Sequence, residues 1–148
     1  MNDKNEELKL ELKQVFDAPI EKVWDAWTTP EQLVKWQHSP SGESKTATLD
    51  LKEGGEWRLV MIDNNHDLPV GGKYIEIDKP NKLVFSWLWE GQNPETHTTT
   101  MTILLNKVEE NKTELTLIQT GFPDQNMVEE HTAGWKEILG ILDEYLKN

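Results

Sequence analysis

Apolar and polar residues change rhythm along this chain, and the rhythm sorts it into elements. Leu8-Lys9-Leu10-Glu11-Leu12-Lys13 alternates strictly, the period of a strand with one buried face, and the run continues to Phe16. Asp17-Ala18-Pro19 stops it, and Pro19 suits a first helical position. Val23, Trp24, Ala26 and Trp27 then follow at helical spacing. Thr29-Pro30-Glu31-Gln32 reads as a fresh helix start: Thr29 as cap, Pro30 at the first position, Gln32 where a capping box places Glu or Gln. Two short helices are expected, joined at residues 28–30, the second ending near Trp36.

After the loop His38-Ser39-Pro40-Ser41-Gly42, alternation returns and persists. Ala47, Leu49 and Leu51 alternate with polar neighbours, and Glu53-Gly54-Gly55 signals a hairpin. Trp57, Leu59 and Met61 share one face of the next strand. Residues 63–67 turn the chain, residues 70–77 form a strand, and Lys79-Pro80-Asn81-Lys82 turns it again. Leu83, Phe85, Trp87 and Trp89 line one face of a further strand. Residues 90–95 read as a polar loop and residues 97–108 as a long strand with Thr99, Met101, Ile103 and Leu105 on one side. The last strand, residues 113–120, puts Leu115, Leu117 and Gln119 together. Beyond Asp124, an N-cap, Val128, His131, Trp135, Leu139, Leu142 and Tyr145 or Leu146 recur every three or four residues. Consecutive strands on short turns imply an antiparallel meander, and helices grouped apart from the strands make the class α+β. No repeat or linker divides the chain, so one domain over residues 1–148 is expected.

Composition narrows the chemistry. There are 27 acidic against 15 basic residues, a formal net charge of −12, and Arg58 is the single arginine. Binding to phosphate backbones or anionic membranes needs basic residues, so neither nucleic acid nor membrane is an expected partner. The acidity reads as solubility and self-repulsion. Without cysteine, disulfides, thiolate metal sites and cysteine nucleophiles are excluded. No run has the length or apolarity of a signal peptide or membrane span, which points to a cytoplasmic protein. His38, His66, His97 and His131 show no i, i+4 pair, so neither a metal nor another cofactor is expected. No heptad pattern is present, which leans towards a monomer.

The order and spacing of these motifs resemble the helix-grip superfamily of START domains, the birch-pollen-allergen fold and polyketide cyclases. Within it, the chain resembles the family named for homology to the activator of the heat-shock protein 90 ATPase. The resemblance is carried by Ala18-Pro19 with Val23-Trp24-Asp25-Ala26-Trp27-Thr28, by Leu33 and Trp36, and by Asp50-Leu51 before Gly54-Gly55. It continues through Leu83-Val84-Phe85-Ser86-Trp87, residues 113–117 with Gly121-Phe122, and Gly134-Trp135 with Leu139 and Leu142. It implies a START-like fold: a strand, two short helices, a bent antiparallel sheet of about six further strands, and a long C-terminal helix across its concave face. It also implies a cavity between helix and sheet, which in the superfamily commonly holds lipids, sterols, polyketides or plant phenolics. The co-chaperone that names the family carries an additional N-terminal domain, whereas this chain starts a few residues before its first strand; ATPase activation is therefore not the first expectation.

Seven tryptophans carry much of the apolar area. Burying one ring stabilises a core by about 2–3 kcal/mol, so core filling alone accounts for any single one. Several adjacent rings on a curved sheet are nevertheless hard to pack without leaving space, and a mainly apolar cavity with few polar anchors is the form of a small-molecule site. The side chains expected around it are Trp36, the sheet residues Trp57, Leu59, Met61, Phe85, Trp87, Trp89, Met101, Ile103 and Gln119, then Phe122, Trp135, Leu139 and Leu142. Trp135 either plugs the core or covers a ligand. Gln119 either reaches water at its strand end or, if buried, needs partners and could anchor a ligand, with His97 or Tyr74 beside it. Gly134 interrupts a helix, and close approach to a neighbouring element is the expected compensation.

No nucleophile elbow and no phosphate-binding glycine loop occurs, so no catalytic residue is assigned. The leading expectation is a non-catalytic binding protein for a small apolar or aromatic molecule. A protein-interaction or chaperone-adaptor module, linked to the stress response, is the alternative. A cyclase- or hydrolase-type enzyme is a third; it requires His97 with Gln119 or Glu76 inside the cavity.

Overall fold

The computed structural model describes residues 8–147. Strand β1 (Lys9–Phe16) leads into α1 (Ile20–Thr28) and α2 (Pro30–Trp36). Strands β2 (Glu43–Leu49), β3 (Glu56–Asp63), β4 (His66–Asp78) and β5 (Lys82–Trp89) follow. A single turn of helix, α3 (Pro94–His97), precedes β6 (Thr99–Glu109), β7 (Lys112–Thr120) and the long α4 (Gln125–Leu146). Among the described residues the strands form one antiparallel sheet in the order β1-β7-β6-β5-β4-β3-β2. The meander β2 to β7 thus runs in chain order, and β1 closes its far edge by pairing Lys9 with Thr120 and Phe16 with Thr113. The sheet bends around α4, and the expected α+β helix-grip architecture is the one observed.

Three bulges help the sheet curve, at Ser44/Thr46, Tyr74/Glu76 and Lys107/Glu109. The inserted residues of the last two, Ile75 and Val108, are among the large apolar side chains left exposed. An extra residue interrupts the in–out alternation locally, which accounts for apolar side chains facing water.

Local chemistry explains where boundaries depart from the sequence reading. Pro19 is the cap of α1 rather than its first residue, extended at φ −64° and ψ 153°, and its carbonyl accepts from Lys22 and Val23. Thr29 caps α2 by position, but its side chain makes no capping bond. Nor does the capping-box role of Gln32 materialise, because its Oε1 accepts from the Tyr145 hydroxyl at 3.0 Å. Strand β4 starts at His66, earlier than expected, because Asn64 and Asn65 both adopt positive φ, a two-residue turn after which Asp63 pairs directly with His66. Asn93 caps the unexpected α3 through Oδ1 to the Glu95 amide, with Pro94 at the first position, so β6 begins after His97. Asp124 caps α4 as expected, accepting from the Met127 amide at 2.9 Å.

The C-terminal helix is tied down at its far end. The Lys22 ammonium donates to the Leu146 carbonyl at 2.7 Å, satisfying a helix-end acceptor with a positive charge. Trp36 Nε1 donates to the Ala26 carbonyl at 2.9 Å and locks the two short helices together. The core lies between α1, α2, α4 and the concave face, and includes Trp24, Trp27, Leu59, Met101, Ile103, Leu117, Leu139 and Leu142.

Candidate functional site

Aromatic rings run through this core as a connected series. Trp36 meets Trp27 at 4.7 Å between ring centroids, Trp27 meets Trp135 at 6.1 Å, and Trp135 meets Trp87 at 5.3 Å. From Trp87 the series branches, to Trp57, Phe85 and Tyr74 on one side and to Trp89, His131 and Phe122 on the other. Edge-on and tilted pairs of this kind add about 0.5–1.5 kcal/mol each beyond burial.

Beneath α4 the packing leaves space. A cavity of about 200 Å³ lies between α4 and the β3–β5 end of the sheet. On α4, His131, Gly134, Trp135 and Ile138 recur at helical spacing and face it. Met61, Ile62 and Asp63 line it from β3, Leu68 from β4, Trp87 and Trp89 from β5, and Ser39 from the loop after α2. Glu130 completes the rim.

Gly134 is part of the reason the space exists. A Cβ built there meets no atom within 4 Å, so the expected close approach of a neighbouring element is absent. The missing side chain instead leaves the cavity wall set back. Beside it, Trp89 Nε1 donates to His131 Nε2 at 3.2 Å, and His131 Nδ1 lies 3.0 Å from the Met127 carbonyl. The carbonyl can only accept, so Nδ1 carries the proton; the Trp89 indole can only donate, so Nε2 is unprotonated and the ring is neutral. Burial pushes the His131 pKa below the usual imidazole value, only partly offset by the Met127 bond and the Glu130 charge.

Gln119 turns out to be fully buried rather than water-reaching. Its Nε2 donates to Thr99 Oγ1 at 2.8 Å, and its Oε1 accepts from Trp135 Nε1 at 2.9 Å. It is an internal strut that orients Trp135, with neither His97 nor Tyr74 as its partner. His97 sits in α3 with Nδ1 2.7 Å from Thr96 Oγ1, and Glu76 is paired with Lys82 at 3.3 Å on the surface.

Of the side chains expected around the cavity, Met61, Trp87, Trp89 and Trp135 line it. Trp36, Leu59, Met101, Ile103, Gln119, Phe122, Leu139 and Leu142 are instead buried in solid packing away from it. Trp57 and Phe85 border a separate void of about 10 Å³, room for about one water molecule. Ser39, Ile62, Asp63, Leu68, Glu130, His131, Gly134 and Ile138 are the wall residues not assigned from sequence. His131 and Ile138 were legible in principle, because they flank Gly134-Trp135 at helical spacing. Glu130 comes from the same helix, whereas Ser39, Ile62, Asp63 and Leu68 arrive through a loop and two strands whose meeting is tertiary.

A second depression of about 560 Å³ lies on the outer face of the sheet, lined by Arg58, Gly71, Lys73, Ser86, Leu88 and Glu90 among others. Arg58 Nε and Nη2 donate to the Glu90 carboxylate across it, holding Arg58 above and Glu90 below their ordinary pKa values. It is open and polar, and offers a ligand little burial. Among the described residues, no group of three His, Asp or Glu side chains is placed to hold a metal ion, and no helix is long and apolar enough to cross a membrane.

A bent antiparallel sheet, a long C-terminal helix across it and an apolar cavity between them define a START-like, helix-grip protein. Residues 17–147 match the family described as activator of Hsp90 ATPase homolog 1-like protein, and the chain belongs to that family. A curated mouse relative, activator of 90 kDa heat shock protein ATPase homolog 2, is 30% identical over 142 residues. That match takes in 90% of this chain but 38% of the mouse protein's length. Among solved structures, a protein from Nitrosomonas europaea is 28% identical with a TM-score of 0.81, covering 95% of both chains. An Hsp90 activator from Plasmodium falciparum shares the fold at 24% identity and a TM-score of 0.74, covering 95% of this chain and 96% of its own.

Proposed function

We propose that the chain is a non-catalytic binding protein that takes a small, largely apolar molecule into the cavity beneath α4. The observation carrying this reading is the cavity's make-up: Met61, Trp87, Trp89, Trp135 and Ile138 form its walls in an otherwise tightly packed core. Its volume of about 200 Å³ exceeds the ~150 Å³ that takes up benzene in an engineered core and falls short of the ~300 Å³ at which drug-sized pockets begin. A one- or two-ring compound suits it better than a sterol or a full-length lipid. The three side chains an enzymatic reading needs have separate partners: Gln119 within the core, Glu76 on Lys82 and His97 on Thr96.

An NMR titration of amide and indole N–H signals tests the reading. Aromatic compounds of graded size are expected to give saturable shifts at Trp87, Trp89 and Trp135, with Trp24 silent. If no compound of one or two rings moves those three indoles, the cavity is not a binding site.

A second reading is favoured by a specific observation, the 30% identity to the mouse ATPase activator homologue across 90% of this chain. In it, the domain docks onto an Hsp90-type ATPase. Adding the purified domain to Hsp90 from the same organism is then expected to raise ATP turnover or to form a complex in analytical ultracentrifugation. Absence of both effects at saturating concentration would rule this reading out.

A further inference from the structure

One hydrogen bond in the cavity wall holds in a single protonation state. His131 and Trp89 both line the cavity, and both are half-buried. Trp89 Nε1 donates to His131 Nε2 at 3.2 Å, while His131 Nδ1 donates to the Met127 carbonyl at 3.0 Å. An indole N–H can only donate, so the first bond needs the bare lone pair of Nε2. A proton on that nitrogen turns the acceptor into a donor and sets two N–H groups against each other.

The two rings are not equally free to respond. His131 is tied to its own helix through Met127, and that bond survives protonation, because Nδ1 donates in both states. Phe122 packs against the imidazole, with 5.1 Å between ring centroids. Trp89 has no other polar atom to anchor it, and part of its surface already meets water. Its edge-on contact with Trp87, at 5.6 Å, is the weaker restraint. Trp89 is therefore the side that gives, and it carries cavity wall with it.

The surroundings let the proton arrive. Burial opposes the imidazolium most, while the Met127 bond and the Glu130 charge favour it. Among the residues lining the cavity, the other charged groups are Glu130, on α4 itself, and Asp63, at the end of β3. Strands β4 and β5 and the loop after α2 bring Leu68, Trp87 and Ser39, which carry no charge.

We infer that the His131–Trp89 hydrogen bond is a proton-operated latch on the cavity: the wall holds an uncharged ring compound while His131 is neutral, and proton uptake by His131 releases it. This inference rests on the binding reading above and adds regulation to it. Its sign is fixed. Affinity is full while the ring is neutral and is lost as pH falls through the value at which the folded chain takes up the proton.

NMR on the full chain tests it, with ethylbenzene and naphthalene as probes that do not themselves titrate. In the free chain, the Trp89 indole proton is expected to move upfield in step with the titration of the His131 ring nitrogens, as it loses its acceptor. Probe affinity should fall over the same range by up to about tenfold per pH unit, because only the neutral fraction binds. By reciprocity, a saturating probe should lower the pH at which His131 titrates. His131→Gln cannot titrate and Trp89→Phe has no N–H to lose. In both, affinity should vary less with pH, whatever its absolute level. Constant affinity while His131 takes up its proton, or an imidazole that stays neutral until the chain unfolds, overturns the inference and leaves the binding reading intact. A pH slope unchanged in both variants assigns the effect to Asp63 or Glu130 and overturns it likewise. Failure of both probes to shift Trp87, Trp89 or Trp135 while His131 is neutral overturns the binding reading, and the inference falls with it.

Discussion

Gln119 shows how much one buried polar side chain constrains its surroundings. It sits among Leu115, Leu117 and Met101 with no exposure, yet its amide is engaged at both ends. Gln119→Leu keeps the volume and leaves the Trp135 indole N–H without an acceptor, at a cost of about 1–3 kcal/mol. Urea denaturation should show that loss. A double-mutant cycle with Trp135→Phe should recover part of it, because the second change removes the orphaned donor. His131 supplies a pH dependence of defined sign. Burial lowers its pKa in the folded chain relative to the ordinary 6.5, so the unfolded state takes up the proton more readily. The stability due to the neutral ring is present in full above the unfolded value and is lost as pH falls through it towards the folded value. Protonation also removes the acceptor for Trp89 Nε1. The urea midpoint of the wild-type chain should therefore fall more steeply below about pH 6.5 than that of His131→Asn. Identical slopes would mean that the ring is not held neutral.

Among the elements, α4 and β4 carry glycines with opposite tolerance. Gly134 faces open space, so Gly134→Ala should stabilise the helix by about 0.5–1 kcal/mol without touching the sheet. Gly134→Leu projects into the cavity and is expected to abolish binding of ring compounds while the fold persists, which a titration of the variant checks. Gly72 in β4 is the reverse. A Cβ there collides with the Ser86 backbone carbonyl of β5, the same oxygen that accepts from Trp57 Nε1 at 3.1 Å. Gly72→Ala should cost about 1–3 kcal/mol or more, visible as a lower thermal midpoint, because backbone has nowhere to retreat. Helix boundaries were legible where caps act locally, as at Asp124. The same holds for α2, whose start at Pro30 after Thr29 was legible even though the Gln32 side chain is used elsewhere, by Tyr145.

For the whole molecule, a net charge of −12 on 148 residues works against compactness. Surface ion pairs such as Lys82–Glu76 and Lys147–Asp143 offset little of it, being largely exposed. Moderate salt is therefore expected to raise the thermal midpoint, since screening weakens self-repulsion more than it weakens scattered pairs. A fall in the midpoint between about 10 and 150 mM salt would show that attractive pairs dominate. A ligand in the cavity acts at the same scale. At a hundred times its dissociation constant it should add about 2.7 kcal/mol, because it binds only the folded chain.

The sequence by itself determined the alternation of the strands, the two short helices and the long amphipathic α4, and from these an antiparallel α+β meander; the helix-grip architecture came with the family resemblance carried by the order and spacing of its motifs. Each of these elements depends on periodicity or capping within a few residues, which a linear chain displays directly. The sequence also gathered the large rings, yet it assigned the cavity to nearly the whole concave face. Only the tertiary structure decided that Trp36, Leu59, Met101, Ile103, Phe122, Leu139 and Leu142 fill the core, and that space remains beside Met61, Trp87, Trp89 and Trp135. The reason is physical. Burial is a property of one residue's pattern, whereas a void is what remains after strand bend, helix placement and loop closure have been satisfied together. Ser39, Asp63 and Leu68 reach its wall from separate loops and strand ends, and no local pattern records that they meet.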